Sequence, residues 1–236
     1  MWEKYRLHQN EMHKVACALL HLLMVFRLPK NELIFPDPSL ADEDGLLAIG
    51  GDLSVERLLL AYKSGIFPWF SDNDPICWYA PHERCVIYPS KVKITKSMSQ
   101  VLKKRIFTIT SNTRFEEVIT NCAEIDRKDQ PGTWITEAMQ KAYINLHKNG
   151  YAKSVEVLQN NELVGGLYGV EINQVFCGES MFSRVSNASK AAMIALCKAN
   201  AYTLIDCQLP NDHLMSLGAE MISRKEYLEI LHQRAF

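Results

Sequence analysis

Hydrophobic and polar positions alternate in blocks between residues 154 and 184, where three apolar stretches are separated by short polar turns. Apolar runs of this length, bounded by turn residues, are typical of β-strands. Asn160-Asn161 separates the first two stretches, and Asn173-Gln174 separates the second from the third. Asparagine tolerates the left-handed backbone that tight turns require. The pattern therefore predicts two successive β-hairpins.

Two of the predicted strands carry an acidic residue. The third strand, predicted over residues 175–178, runs into Glu179, and a later strand over residues 204–208 contains Asp206. A carboxylate at such a position is unfavourable to bury unless it is paired or functional. Asp206 and Gln208 share one face of their strand because they are two residues apart, whereas Cys207 points to the other face. The pattern fits a catalytic pair or a buried polar network.

Helices surround these strands. Ser54 is predicted to cap an apolar helix over residues 55–63, Thr136 to cap a second that ends at Asn149, and a third follows Ser189. A strand, a helix and a further strand in succession predict a mixed sheet with a parallel crossover. We expect an α+β fold: an N-terminal extension at 1–30, a small N-terminal domain with an aromatic loop at 31–95, and a mixed-sheet domain at 96–236.

Two segments could contact a ligand. Aromatic residues crowd the proline-punctuated stretches 65–70 and 78–81, which is compatible with either binding or packing. The segment 91–105 contains six basic residues and no acidic one: Lys91, Lys93, Lys96, Lys103, Lys104 and Arg105. It could be a solvated face or a patch that contacts phosphates.

Composition narrows the class of protein. The 236 residues are 47% hydrophobic and 22% charged with a net charge of −1, which argues against a wholly basic nucleic-acid binder. Seven scattered cysteines without a C-x-x-C pair predict reduced thiols and a cytoplasmic location. The apolar segment 15–28 is too short to span a bilayer and lacks a following cleavage site, so we expect neither a membrane anchor nor an export signal. No histidine spacing predicts a metal site.

The motifs taken together resemble a known family. GLLAIGGDLS, GIFPWF, the W-x-x-P-x-x-R of residues 78–84, GTWIT, ELVGGLYGV, FCGESMFSR, LIDCQ and SLGAE occur in the order found in leucyl/phenylalanyl-tRNA–protein transferases. The match runs from about Phe35 to the end of the chain. Each motif is short, but eight in one order are specific.

The resemblance implies transfer of leucine or phenylalanine from Leu-tRNA or Phe-tRNA to the α-amino group of proteins that begin with Arg or Lys, in N-end-rule degradation. It implies a C-terminal domain like the GNAT acetyltransferases, no cofactor or metal, and a monomer. Glu179, Asp206 and Gln208 would form the reaction centre. The terminal adenosine and its amino acid would bind at Trp69, Trp134, Met181 and Phe182. The basic residues of 91–105, together with Arg84, would contact the tRNA backbone.

Two other functions remain open from the sequence. A CoA-dependent GNAT N-acetyltransferase would need a glycine-rich loop for the pyrophosphate, and residues 183–189 contain no glycine. A non-catalytic RNA-binding module would use the aromatic and basic residues, but it would not need Glu179, Asp206 and Gln208 together.

Overall fold

The chain forms two β-sheets with helices on both faces of the larger one. The structure, a computed structural model, describes residues 25–125 and 134–233. The predicted extension therefore lies largely outside the described residues. Within them, no helix combines the length and apolar character needed to cross a membrane.

The smaller sheet has four strands in the order β1-β2-β4-β3. Its strands are β1 (Phe26–Leu28), β2 (Leu46–Gly50), β3 (Phe67–Pro68) and β4 (Cys77–Tyr79). The larger sheet has seven strands in the order β11-β5-β10-β9-β8-β7-β6. Its strands are β5 (Glu83–Ile87), β6 (Thr108–Ser111), β7 (Ala152–Gln159), β8 (Glu162–Ile172), β9 (Val175–Ser183), β10 (Leu204–Gln208) and β11 (Glu220–Ser223).

The larger sheet is antiparallel except for the pair β9–β10, which is parallel. The helix that connects those two strands supplies the predicted crossover, so the mixed α+β fold class is confirmed. Asn160, Asn161 and Asn173 have φ of 52°, 65° and 54°, as the two predicted hairpin turns require.

Seven α-helices lie among the described residues: α1 (Val55–Lys63), α2 (Lys96–Lys103), α3 (Phe115–Glu124), α4 (Glu137–Lys148), α5 (Ala188–Lys198), α6 (Asp212–Ser216) and α7 (Arg224–His232). Ser54 and Thr136 cap α1 and α4 as predicted, because each side chain accepts from a backbone N–H of the first turn.

The helices cover both faces of the larger sheet. Buried side chains of α1, α3, α4 and α7 pack on one face together with the smaller sheet. Those of α2, α5 and α6 pack on the other face. The strand β5 comes from within the predicted N-terminal domain, yet it pairs with β10 and β11 of the larger sheet. The domain boundaries themselves stay a prediction.

Candidate active site

The site lies where two parallel strands separate. The ladder between β9 and β10 runs from Leu204–Val175 to Asp206–Cys177 and ends there. Strand β9 continues to Ser183 beside β8, and β10 continues to Gln208 beside β5. A cavity of about 680 Å³ is lined by residues from both diverging ends. That volume is within the range of small-molecule pockets.

The cavity has an apolar part and a polar part. Its apolar lining includes Leu167, Phe176, Met181, Met193 and Leu214, and its polar lining includes Glu179, Ser180, Gln208, Asn211 and His213. Trp134 and Phe182 also line it. Such a mixture suits a ligand with an apolar side chain and a few polar groups that need fixed partners.

A β-bulge aims Glu179 at the cavity. In the pairing of β8 with β9, Tyr168 faces Ser180 and Gly169 faces Gly178, so Glu179 has no opposite residue. Bulges of this kind redirect a side chain next to active sites. Gly169 makes the tight pairing possible, because an added Cβ would lie only 2.2 Å from the Cys177 carbonyl oxygen.

Three side chains hold the Glu179 carboxyl. The Tyr62 hydroxyl donates to its Oε1 at 2.7 Å, and the Tyr143 hydroxyl donates to its Oε2 at 2.8 Å. The Gln208 carboxamide donates from Nε2 to Oε1 at 3.3 Å. Burial raises the pKa of Glu179 to about 7, although the hydrogen bonds from Tyr62 and Tyr143 favour the ionised form. Glu179 can therefore change its protonation state near neutral pH.

Asp206 is fully buried, and its carboxylate accepts four hydrogen bonds. Arg84 donates from Nε to Oδ1 and from Nη2 to Oδ2, each at 2.8 Å. The Tyr227 hydroxyl donates to Oδ2 and the backbone N–H of Gln208 to Oδ1, both at 2.9 Å. Gln208 has φ of 57°, and the pairing with β5 shifts between Asp206 and Gln208. Asp206 thus fixes the irregular backbone from which the Gln208 side chain reaches Glu179.

Comparisons with known proteins cover nearly all of this architecture. Residues 51–82 match the family model described as the leucyl/phenylalanyl-tRNA protein transferase N-terminal domain, and residues 86–232 match the model of leucyl/phenylalanyl-tRNA protein transferase. The chain belongs to the leucyl/phenylalanyl-tRNA–protein transferase family. Membership confirms the predicted enzyme class, a tRNA-dependent aminoacyltransferase.

Similar proteins named leucyl/phenylalanyl-tRNA–protein transferase occur in several bacteria. The one from Flavobacterium johnsoniae is 56% identical over 207 residues, which cover 86% of this chain and 98% of that protein. The one from Hydrogenovibrio crunogenus is 51% identical over 213 residues, or 88% of this chain and 83% of that protein. Among solved structures, a GCN5-related N-acetyltransferase from Kribbella flavida has a TM-score of 0.36 and 11% identity, covering 67% of this chain and 57% of that one.

In this member of the transferase family, most of the predicted centre comes together. Glu179, Gln208, Trp134, Met181 and Phe182 all line the cavity. Asp206 lies behind it and reaches it through Gln208. The Asp206 carboxylate accepts from the backbone N–H of Gln208, and the Gln208 carboxamide donates to Glu179.

Two further predictions need detail or correction. Glu179 was expected at the end of its strand, but it lies inside β9, which extends to Ser183. Trp69 is 39% exposed and contacts Tyr79, with ring centroids 5.7 Å apart, and it is not among the residues that line the cavity. Its role in adenosine binding therefore stays a prediction.

The cations predicted to contact the tRNA backbone are exposed, except for one. The six side chains of segment 91–105 are all exposed: Lys91, Lys93, Lys96, Lys103, Lys104 and Arg105. Arg84 is only 2% exposed and forms a bidentate ion pair with Asp206. The prediction that Arg84 contacts the tRNA backbone is wrong, because its guanidinium is buried and paired with Asp206 and cannot reach a phosphate.

Sequence reasoning missed Tyr62, Tyr143 and His213. Both tyrosines lie on buried helix faces, and a buried tyrosine hydroxyl usually has a polar partner; that was the available signal. His213 lines the cavity, and its Nε2 is buried without a hydrogen-bond partner among the described residues. Burial and nearby Lys190 lower the pKa of His213, which favours the neutral imidazole.

Proposed function

We propose that this chain transfers leucine or phenylalanine from Leu-tRNA or Phe-tRNA to the N-terminal α-amino group of proteins that begin with Arg or Lys. The observation that carries the proposal is the cavity at the split between β9 and β10. It combines an apolar wall, the indole of Trp134, and a polar pair formed by Glu179 and Gln208. Family membership supports the same reaction.

The aminoacyl end of the tRNA would occupy this cavity. The terminal adenine would stack on Trp134, with the exposed indole of Trp69 as a second platform; stacking on an aromatic side chain contributes about 1–3 kcal/mol per base. The leucine or phenylalanine side chain would lie against Met181, Phe182 and the neighbouring apolar residues. An apolar pocket distinguishes one methylene by only about 1–3 kcal/mol, so some use of methionine is expected.

The acceptor amine would enter beside Glu179 and Gln208. Its ammonium form would pair with the Glu179 carboxylate, and the Gln208 carboxamide oxygen could accept from it. Asp206 would contribute by holding the Gln208 backbone, since its own carboxylate is buried behind the cavity. Alignment of amine and ester is itself a large part of such catalysis, because it removes the entropic barrier to their encounter.

The basic residues of 91–105 would bind the acceptor-stem backbone. Their side chains are exposed on α2 and the segments beside it, as phosphate contacts require. Among the described residues, only Lys91 of this segment forms an ion pair, with the exposed Glu220 at 3.1 Å. Exposed ion pairs contribute little energy, so Lys91 can exchange that partner for a phosphate.

The ester of an aminoacyl-tRNA is already activated, so this reaction requires neither ATP nor CoA. The product carries a new N-terminal leucine or phenylalanine, which would mark it for N-end-rule degradation in the cytoplasm. We propose that a monomer suffices, because the cavity is assembled within one chain. A CoA-dependent acetyltransferase is less favoured, since the connection from β9 to α5 lacks a glycine-rich loop.

The test is a transfer assay with labelled Leu-tRNA and a peptide that begins with Arg. Label is expected on the peptide α-amine, and none from acetyl-CoA. Glu179→Gln should reduce kcat by roughly 10²- to 10⁴-fold, the usual contribution of a proton-transferring group. Glu171→Gln is the matched control, because Glu171 also accepts from a tyrosine, Tyr202 at 2.8 Å, away from the cavity. Acetyl transfer without leucyl transfer would overturn the proposal.

A further inference from the structure

Two buried tyrosine hydroxyls and a buried carboxyl form a closed ring of contacts beside the cavity. Tyr62 of α1, Tyr143 of α4 and Glu179 of β9, here called the Glu179 triad, each contact the other two. Tyr62 and Tyr143 are 1% and 0% exposed, so neither hydroxyl can exchange its partner for bulk water. The number of protons in the triad therefore determines how many of its three contacts are hydrogen bonds.

The proton count differs between the two states of Glu179. Three oxygen–oxygen contacts need three protons, and each tyrosine hydroxyl supplies one. With a protonated Glu179, the carboxyl donates to one tyrosine, that tyrosine donates to the other, and the second donates back to the carboxyl. With an ionised Glu179, both tyrosines donate to the carboxylate and the Tyr62–Tyr143 contact has no proton. The Tyr62–Tyr143 contact without a proton is unfavourable and opposes ionisation, whereas the two hydroxyls that donate to the carboxylate favour it.

Charged neighbours reach Glu179 from several strands. Besides the two tyrosines, Asp206 of β10 raises the pKa of Glu179 and Arg84 of β5 lowers it, after the larger effect of burial. Cys177 of β9 also interacts with Glu179, Tyr168 of β8 interacts with Tyr143, and His213 of α6 lines the same cavity. Burial and the Glu179 carboxyl raise the pKa of Tyr62 and Tyr143 well above the ordinary value, so both hydroxyls keep their protons. Within the triad, only Glu179 changes its proton near neutral pH.

We propose that Tyr62 and Tyr143 are positioning residues that make Glu179 the proton acceptor for the incoming α-ammonium group. The inference rests on the proposed function and assigns Glu179, rather than Asp206, to deprotonation. Asp206 already accepts four hydrogen bonds and does not line the cavity, whereas Glu179 lines it. Taking up the proton also completes the third hydrogen bond of the triad.

The reaction moves two protons from the attacking nitrogen and exchanges one C–O bond for a C–N bond. The α-ammonium loses one proton to the ionised Glu179, and the freed nitrogen lone pair attacks the ester carbonyl carbon. The new C–N bond forms, the bond from carbon to the ribose oxygen breaks, and the second proton lost by nitrogen goes to that oxygen. The proton held by Glu179 then leaves through the cavity to water. The net products are an amide, a free ribose hydroxyl and one proton.

The sign of a pKa change tests the triad in the protein alone. Infrared titration of the folded chain should show a protonated carboxyl band that disappears near pH about 7 and is absent from Glu179→Gln. Tyr62→Phe or Tyr143→Phe removes one of the two hydroxyl donors that stabilise the Glu179 carboxylate, so the midpoint should rise. If one variant fails to fold, the other carries the same test.

The kinetic arm follows kcat against pH in the transfer assay. The acidic limb of the kcat–pH profile should shift in the same direction as the infrared midpoint in each Tyr→Phe variant. It should stay in place in Tyr202→Phe, the control that removes a tyrosine–glutamate bond outside the cavity. A midpoint that falls, or does not move, in both variants overturns the triad. A limb that fails to follow the midpoint overturns the role of Glu179 as proton acceptor. Absence of any leucyl transfer overturns the proposed function and leaves the infrared result standing.

Discussion

Replacement of Arg84 by methionine perturbs the most enclosed ion pair of the site. The Arg84 guanidinium makes two 2.8 Å bonds to the Asp206 carboxylate, and the two side chains are 2% and 0% exposed. A third bond, from Nη1 to the Gly65 carbonyl at 3.0 Å, ties β5 to the end of α1. The guanidinium also lies 4.7 Å and 4.6 Å from the ring centroids of Phe67 and Tyr227.

Arg84→Met leaves the Asp206 carboxylate buried with only Tyr227 and a backbone N–H as donors. Removing one partner of a buried pair destabilises a protein by about 3–5 kcal/mol, which for a chain of this size lowers Tm by about 6–20 °C. Activity should fall as well, because Asp206 orients Gln208.

Thermal unfolding at pH 7 measures this change directly. The double variant Arg84→Met/Asp206→Asn should recover part of the loss, since it removes the unpaired charge. Lys91→Met, which breaks an exposed pair with Glu220, should leave Tm almost unchanged. An Arg84→Met protein within about 1 kcal/mol of the parent, or a double variant less stable than the single one, would refute this view of the network.

Three other results are expected. Trp134→Ala and Trp69→Ala should each raise KM for Leu-tRNA by about 5- to 150-fold, the equivalent of about 1–3 kcal/mol of stacking; unchanged KM in either would remove that indole from the adenosine site. Lys103→Ala should lower the slope of log affinity for tRNA against log salt by about one, whereas Lys103→Arg should retain it; equal slopes in both would argue against phosphate contact. Because the pKa of Glu179 rises from 4.5 to about 7 on folding, its contribution to stability is present below pH about 4.5 and is lost as pH rises through 7. Chemical denaturation of Glu179→Gln should lack this loss, and an identical pH dependence in both proteins would contradict the raised pKa.

Local patterns predicted the local structure well. The asparagine turns at 160–161 and 173, the caps Ser54 and Thr136, and the strand around Asp206 depend on backbone preferences within a few residues. The same patterns indicated that Cys207 and Asp206 face opposite layers. In the structure Cys207 packs on the face of the larger sheet that α5 covers, and Asp206 bonds to Tyr227 of α7 on the other face.

The partners of the buried charged residues could not be predicted from local sequence patterns. Arg84 was grouped with exposed cations because the sequence shows its charge but not the carboxylate 122 positions away that neutralises it. Tyr62 and Tyr143 come from different helices and meet Glu179 only after both pack on one face of the sheet. The bulge at Glu179 depends on the register of β8 with β9, which no local pattern specifies.

The most direct test of the account is single-turnover transfer from preformed Leu-tRNA to an Arg-starting peptide, with product formation and ester hydrolysis followed together. The parent protein is expected to form a leucyl-peptide bond at the α-amine. Glu179→Gln is expected to lose most of that product while still binding Leu-tRNA. Transfer at the parental rate by Glu179→Gln, or binding of Leu-tRNA that yields only free leucine in the parent, would contradict it.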